Sequence, residues 1–348
     1  MQGKAVSEES LQAAVDREPR VPLAFLPTPL HDLPRLGKEL GGPRILVKRD
    51  DQTGLALGGN KTRVLEFVMG DVLRSGATTI IAAAYAQSNY CRQVAAAAAQ
   101  LGIKCHLVLR AGIKSDSWQG NLLLDKLLGA EIHLVAAESS AEILAAAERL
   151  ADRLRADGER PYLATLNRRP QVRAAIAYVG GFLELQHQLR EAGLKVDRIY
   201  LSSSGNSYAG MLLAARALGV ETKIIGVSPE GTRPERSARS IDIANDAAVA
   251  LGLEVRLSEE DGWLEDEFLG PSYGLPTAES IEAIRLLARL EGILVDPVYT
   301  GKGLAGLISH IRTGVVGRDE TVLFVHTGGV PGLFAFNEEL VVGRPVVG

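Results

Sequence analysis

Lys61 stands between a glycine pair and what reads as the start of a helix, in Leu57-Gly58-Gly59-Asn60-Lys61-Thr62-Arg63. Two glycines let a backbone approach a ligand closely or take positive φ. A lysine whose surroundings disfavour its charged form loses a proton and attacks an aldehyde. That chemistry suits a Schiff base to pyridoxal phosphate (PLP). A lysine after a turn is also, more plainly, a solvated surface residue, so the other segments decide.

Ala86-Gln87-Ser88-Asn89-Tyr90-Cys91 follows a strand pattern and opens a helix pattern. Ser88 or Asn89 can cap that helix, and the free N–H groups at its start, with Gln87, Ser88 and Asn89, can also take a carboxylate. Ser202-Ser203-Ser204-Gly205-Asn206-Ser207-Tyr208 again joins strand to helix. It lacks the Gly-Lys-Ser/Thr end of a nucleotide P-loop and the G-x-G-x-x-G of a dinucleotide site, so it reads either as a cradle for one phosphate group or as an ordinary Ser-rich cap. Asp296-Pro297-Val298-Tyr299-Thr300-Gly301-Lys302 puts a tyrosine after a proline turn, where it either packs or meets a ligand at a sheet edge. Val325-His326-Thr327-Gly328-Gly329 is a strand running into a Gly-rich bend, plain or cofactor-facing at Thr327.

These segments need elements to position them. Strands are expected at 45–48, 78–82, 105–109, 132–135, 199–201, 223–227 and 322–325, with helices at 93–101, 121–128, 141–156, 174–192 and 208–218. The alternation implies right-handed crossovers and mostly parallel sheets flanked by helices, and seven strands suit two sheets better than one. The run 230–240, with Pro234 and mixed charges, reads as a surface loop. The charged stretch 136–157 reads as a solvated helix face without a function.

Composition narrows the class. The 348 residues are 46% hydrophobic and 23% charged, enough for a sizeable core in two domains or one large one. A net charge of −4 gives no broad basic field, which argues against nucleic acid. No apolar run is long enough to span a membrane, and the N-terminal residues lack a signal-peptide core, so the cytoplasm is the expected compartment. Cys91 and Cys105 have no metal-ligand spacing and no two histidines share a helical ligand spacing, so no metal site is expected.

Together, G-G-N-K at 58–61, Q-S-N at 87–89, D-P-V-Y-T-G-K at 296–302 and H-T-G-G at 326–329 resemble the D-cysteine desulfhydrase and 1-aminocyclopropane-1-carboxylate (ACC) deaminase family, fold type II PLP enzymes of the tryptophan-synthase-β-like class. The resemblance runs from Pro27-Thr28-Pro29-Leu30 through Lys48-Arg49-Asp50-Asp51 to Phe336. It implies an α/β fold of two domains: a large PLP-binding domain at 1–65 and 173–348, and a small inserted α/β domain at 66–172 that closes on substrate. It implies that Lys61 holds PLP and moves the α-proton, that Asn89 bonds the phenolic oxygen, and that Ser203, Ser204, Gly205, Asn206 and Ser207 bind the phosphate. Thr300 or Thr327 would approach the pyridine nitrogen. Gln87, Ser88 and Asn89 would face a small amino-acid substrate, with Ser88, Lys61 and Tyr299 catalytic, and Tyr273 as a further active-site tyrosine. A homodimer is implied as well.

Thr300 stands where ACC deaminases usually carry a glutamate. A neutral hydroxyl at the ring nitrogen weakens the electron sink, which argues against ACC and for α,β-elimination to pyruvate and ammonia, as in a D-cysteine desulfhydrase. Two departures bear on the substrate. Tyr90 replaces the histidine usual after Q-S-N, and a small Gly/Ala/Ser loop is replaced by Thr165-Leu166-Asn167-Arg168-Arg169-Pro170-Gln171-Val172-Arg173. Arg168 or Arg169 is expected to read an anionic group such as the sulfonate of cysteate, or else to be solvated. A β-replacement transferase, a racemase and a PLP-binding protein without catalysis are the competing readings.

Overall fold

The computed structural model describes residues 5–164 and 168–341. Its strands are β1 (Leu30–Asp32), β2 (Arg44–Lys48), β3 (Thr79–Tyr85), β4 (Lys104–Arg110), β5 (Glu131–Val135), β6 (Pro161–Leu163), β7 (Arg198–Ser202), β8 (Lys223–Val227), β9 (Trp263–Glu265) and β10 (Thr321–Val325). The helices are α1 (Glu8–Asp16), α2 (Pro34–Glu39), α3 (Lys61–Arg74), α4 (Asn89–Leu101), α5 (Gly120–Leu127), α6 (Ser140–Ala156), α7 (Arg168–Glu191), α8 (Asn206–Leu218), α9 (Arg233–Ala250), α10 (Ala278–Glu291), α11 (Thr300–Arg312) and α12 (Asn337–Leu340). One sheet has the order β1-β2-β10-β7-β8-β9 and the other β5-β4-β3-β6. Only the β1–β2 pairing is antiparallel among the described strands.

Both sheets are covered on two faces, which is why their central strands are near-continuous apolar runs. On β2, Ile45 and Val47 face a core with Tyr200, Phe324 and residues of α2, α10 and α11. Leu46 turns to the opposite core, shared with α3, α7, α8 and α9, which continues into the small sheet through Ile80, Ala82, Leu107 and Leu109. The other face of the small sheet packs Ile81, Ala83 and Val108 on α6. No helix among the described residues is long and apolar enough to cross a membrane.

All seven expected strands form. The three that were not expected, β1, β6 and β9, are three-residue edge strands with little burial. The expected surface loop at 230–240 is a correction: it holds the first turns of α9, with Thr232 as N-cap and Pro234 in the first turn, where its missing N–H costs nothing. Helix α7 begins at Arg168, six residues before the expected start, and Thr165 to Asn167 of the substituted loop lie outside the described residues.

A buried ion network locks α3 to this scaffold. Arg63 donates to Asp50 at 2.9 Å and to Glu184 of α7 at 2.7 and 2.9 Å. Lys48 donates to Glu184 at 2.6 Å and to the Thr28 carbonyl, and Tyr178 donates to Asp50 at 2.7 Å. Burial opposes charge on Arg63, yet Asp50 and Glu184 outweigh it and keep the guanidinium protonated. Asp50 is held below the usual carboxylate range because the Arg63 charge overrides its burial. Removing one partner would leave buried carboxylates uncompensated. Arg63→Ala is expected to lower unfolding free energy by about 3–5 kcal/mol in urea titration; a loss below about 1 kcal/mol, the level of an exposed pair, would show the network to be solvated.

Candidate active site

Lys61 is the first residue of α3, and glycines bring its loop into place. Gly58 has φ 68°, and a Cβ there would lie 1.9 Å from the Asp51 carbonyl oxygen. Gly328, at φ 97°, meets Gly59 so closely that a Cβ would lie 2.6 Å from the Gly59 Cα. The two glycine bends are therefore in backbone contact, and the Asn60 N–H donates to the Thr327 carbonyl at 2.9 Å. From α4, Arg92 donates to the Gly58 carbonyl at 2.8 Å, as does Gln93. His326 holds the second bend: Gly328 N–H donates to Nδ1, so the proton is on Nε2, which donates to the Leu294 carbonyl at 2.8 Å.

A cavity of about 280 Å³ opens over Lys61. Ala83, Ala84 and Tyr85 at the carboxyl end of β3, Ser202 at the end of β7, the turn 203–207, Tyr273 and Tyr299 line it, so both sheets contribute their carboxyl edges. A larger hollow of about 630 Å³ between α8 and β8–β9 holds none of the expected site residues. Burial alone lowers the Lys61 amine to about 8. The hydroxyls of Tyr273 and Tyr299 are hydrogen-bonded to each other, and the ring of Tyr85, which no sequence motif marks, packs on Tyr273 at a tilt of 35° with 4.2 Å between centroids. Burial pushes both Tyr273 and Tyr299 up, so both phenols are protonated at neutral pH. Lys302 donates to the Leu269 carbonyl at 2.6 Å and so fixes the start of the loop that carries Tyr273.

The 203–207 turn fits a phosphate. The first bond of α8 runs from Ala209 N–H to the Gly205 carbonyl, so the preceding N–H groups have no partner within the helix. An added Cβ on Gly205 meets nothing within 4 Å, and the buried Ser202 Oγ, on the cavity wall, has no hydrogen-bond partner. A partnerless serine hydroxyl, a helix N-terminus and a low-lying lysine amine suit a phosphorylated aldehyde.

The sequence matches the family described as pyridoxal-phosphate dependent enzymes over residues 21–328. It is 39% identical over 331 residues to a 1-aminocyclopropane-1-carboxylate deaminase of Burkholderia ambifaria, covering 93% of this chain and 98% of that one. It is 38% identical over 321 residues to the same-named protein of Methylobacterium nodulans, covering 90% and 95%. The crystal structure of an ACC deaminase homologue superposes with a TM-score of 0.87 at 33% identity, over 95% of this chain and 98% of that one. The chain belongs to this family of PLP-dependent enzymes, with the ACC deaminases. Its cofactor is therefore PLP, and its fold is that of the type II enzymes.

The other expected residues are distributed unevenly. Ser88 lines the cavity and caps α4, accepting from Cys91 N–H at 3.2 Å. Asn89 accepts from the Asn121 amide at 2.9 Å, which leaves its own NH2 to donate. The Gln87 amide is committed elsewhere: it donates to the Lys114 and Gln119 carbonyls and accepts from Asn121 N–H, so it shapes the loop before α5 and is not on the cavity wall. Thr300 is buried and bonded to Asp296 and the Gly328 carbonyl. Thr327 is buried in the bend beside Asn60.

The placement of Arg168 and Arg169 on substrate is corrected. Arg168 pairs with Asp246 of α9, and Arg169 forks onto the buried Asp71 of α3 at 2.8 and 2.9 Å, beside Arg173. These carboxylates take the arginines as ties between helices. The cationic side chains on the cavity are instead Arg236, paired with Glu230 at 2.8 Å, and Arg239, both on the helix that was misread as a loop. Tyr90 donates to the Ala164 carbonyl at 2.6 Å and so ties α4 to the end of the small sheet.

The low-lying Lys61 amine makes a pH prediction. In enzyme stripped of PLP, the free amine is the minor form below pH 8 and the major form above it. The rate of PLP attachment, followed by absorbance and by borohydride trapping at position 61, is expected to climb through about pH 8 and then level off. A rate still climbing at the pH of an exposed lysine would mean that the amine is solvated.

Proposed function

We propose that this enzyme is a lyase that removes ammonia by α,β-elimination from a small amino acid with a β-leaving group, as a D-cysteine desulfhydrase does. The observation that carries the reading is the buried pairing of Lys61, an amine lowered to about 8, with two protonated tyrosines on one small cavity. Lys61 would hold PLP through its aldehyde and the 203–207 turn would hold its phosphate; bound there, the cofactor would supply an electron sink for charge at the substrate Cα. Ser88 and the start of α4 would receive the substrate carboxylate, and the Asn89 NH2 would be the donor for the cofactor's phenolic oxygen. The Lys61 Nζ, freed when the substrate's own amine takes its place, takes the α-proton. The Tyr299 Oη donates a proton to the departing β-substituent, and the Tyr273 hydroxyl, bonded to it, donates to the phenolate left behind until the proton gained at Lys61 balances the one given up. In this proposal residues 66–172 form the small domain, whose closure excludes water.

A second reading, ACC deamination, is favoured by the names of the relatives at 38% and 39% identity. Thr300 weighs against it. Its hydroxyl is neutral and tied to Asp296 and Gly328, so it supplies no charge to strengthen the sink that opening a cyclopropane demands.

A panel of D- and L-cysteine, β-chloroalanine, cysteate, D-serine and ACC separates the readings by product. Pyruvate and ammonia from D-cysteine or β-chloroalanine, with a higher kcat/KM than for ACC, is the expected result. Preferential release of 2-oxobutyrate from ACC would establish the second reading, and a β-substituted product or the inverted enantiomer would point to replacement or racemisation. Tyr299→Phe is expected to cut kcat by about 10²–10⁴-fold with KM little changed, the usual contribution of a positioned proton donor. A fall below about tenfold would remove Tyr299 from the proton path.

A further inference from the structure

The small sheet carries a second constellation, at the end of its strands remote from the cavity. His106 is the third residue of β4, and it pairs in register with Glu131, the first residue of β5. His133 lies two residues further along β5, so all three side chains stand on the face that packs Val108 against α6. The His106 Nδ1 and His133 Nε2 are 3.1 Å apart. The Glu131 carboxylate comes within 3.6 Å of the first and 3.4 Å of the second.

We propose that His106, Glu131 and His133 form a binding site for a divalent transition ion, zinc by ligand type, that fastens the edge strand β5 to β4. Tetrahedral zinc with bonds near 2.0–2.1 Å places its ligand atoms about 3.3 Å from one another. The two ring nitrogens are 3.1 Å apart, and each lies near that distance from one oxygen of the Glu131 carboxylate, Oε2 at 3.6 Å from His106 and Oε1 at 3.4 Å from His133, with one ligand atom from each residue within 4.8 Å of the others. Two imidazoles and one carboxylate are a donor set that suits zinc over magnesium or calcium. One ring-to-ring hydrogen bond accounts for the 3.1 Å contact alone and leaves unexplained why a carboxylate converges on both nitrogens. His106 is buried, His133 half-buried and Glu131 exposed, so three ligands come from the sheet and a fourth position opens to water. The place is physically apt. An edge strand carries unpaired backbone groups and is held from one side only. In sequence the two histidines are 27 residues apart, and only the parallel pairing of β4 with β5 brings them together.

The test uses tag-free, PLP-loaded enzyme, incubated with zinc chloride, desalted and assayed for metal content, with Co²⁺ as a spectroscopic substitute. Wild type is expected to retain one zinc per chain, to show a higher Tm with zinc, and to give the visible d–d bands of tetrahedral cobalt at wavelengths beyond the cofactor band. His133→Ala and Glu131→Gln alter half-buried and exposed positions that the fold does not need, and both are expected to lose the retained zinc and the zinc-dependent rise in Tm. Equal zinc retention in wild type and both variants would overturn the proposal, since the metal would then sit elsewhere. Failure of wild type to retain zinc would also overturn it, reducing the cluster to a pair of hydrogen-bonded rings.

Discussion

The position of Lys61 depends on an arginine two residues away. Arg63 is buried on α3, and a buried guanidinium is tolerable only where carboxylates meet it in good geometry. Asp50 and Glu184 do so, and they are themselves fixed by Thr28, Lys48 and Tyr178. Three separate stretches of chain, at Thr28, at Lys48 to Asp50 and on α7, must therefore converge before α3 can sit where it does. Lys61 begins that helix, so the network sets the position of its amine without touching the cavity. The segments around Thr28 and Lys48 to Asp51, which carried the family resemblance, turn out to be parts of this support.

A second constraint acts on the loop before the lysine. Its two glycines accept contacts that no side chain would allow, with the Asp51 carbonyl on one side and the Gly328 bend on the other. Arg92 and Gln93, from a helix packed on the small sheet, hold the Gly58 carbonyl. The start of α4 is thereby coupled to the lysine loop. A closure of residues 66–172 would have to keep or break these ties. The contact between Tyr85 and Tyr273 crosses between the two sheets at the same place, and a closing motion would have to slide or break it.

Much of this was legible in the chain because buried parallel strands leave long apolar runs, as at 45–48 and 322–325, while the Gly-rich motifs lie at their carboxyl ends. Lys61, the serine turn and both tyrosines, singled out from those motifs, line one cavity. What was not readable depended on partners distant in sequence. Arg168 and Arg169 look like anion-binding residues until Asp246 and Asp71 are seen to meet them. Arg236 and Arg239 look like loop charges because Pro234 hides a helix start, and only the helix places them on the cavity. The edge strands β1, β6 and β9 are three residues long, and only Leu264 of β9 among their residues is buried, so they carry almost no periodic signal. The two histidines of the small sheet share no helical spacing, and no local pattern announces them.

The carboxylate at Asp296 decides the electrostatic character of the cavity's tyrosine end. It is buried 2% exposed beside Gly329, where a Cβ would come within 2.5 Å of its Oδ1. It accepts from the N–H groups of Val298, Tyr299 and Thr300 at 3.0, 2.9 and 2.9 Å, and from the Thr300 hydroxyl. All its lone pairs are thus used at the N-terminus of α11, where a negative charge is favoured by the helix dipole. The Asp296 charge is consumed in building the turn that presents Tyr299. Thr300 inherits a neutral hydroxyl role because Asp296 and Gly328 occupy it on both sides. The D-P-V-Y-T and H-T-G-G motifs are consequently one structural unit, in which glycine makes room for an aspartate, the aspartate fixes a tyrosine, and the tyrosine keeps its proton in a wall without free acid.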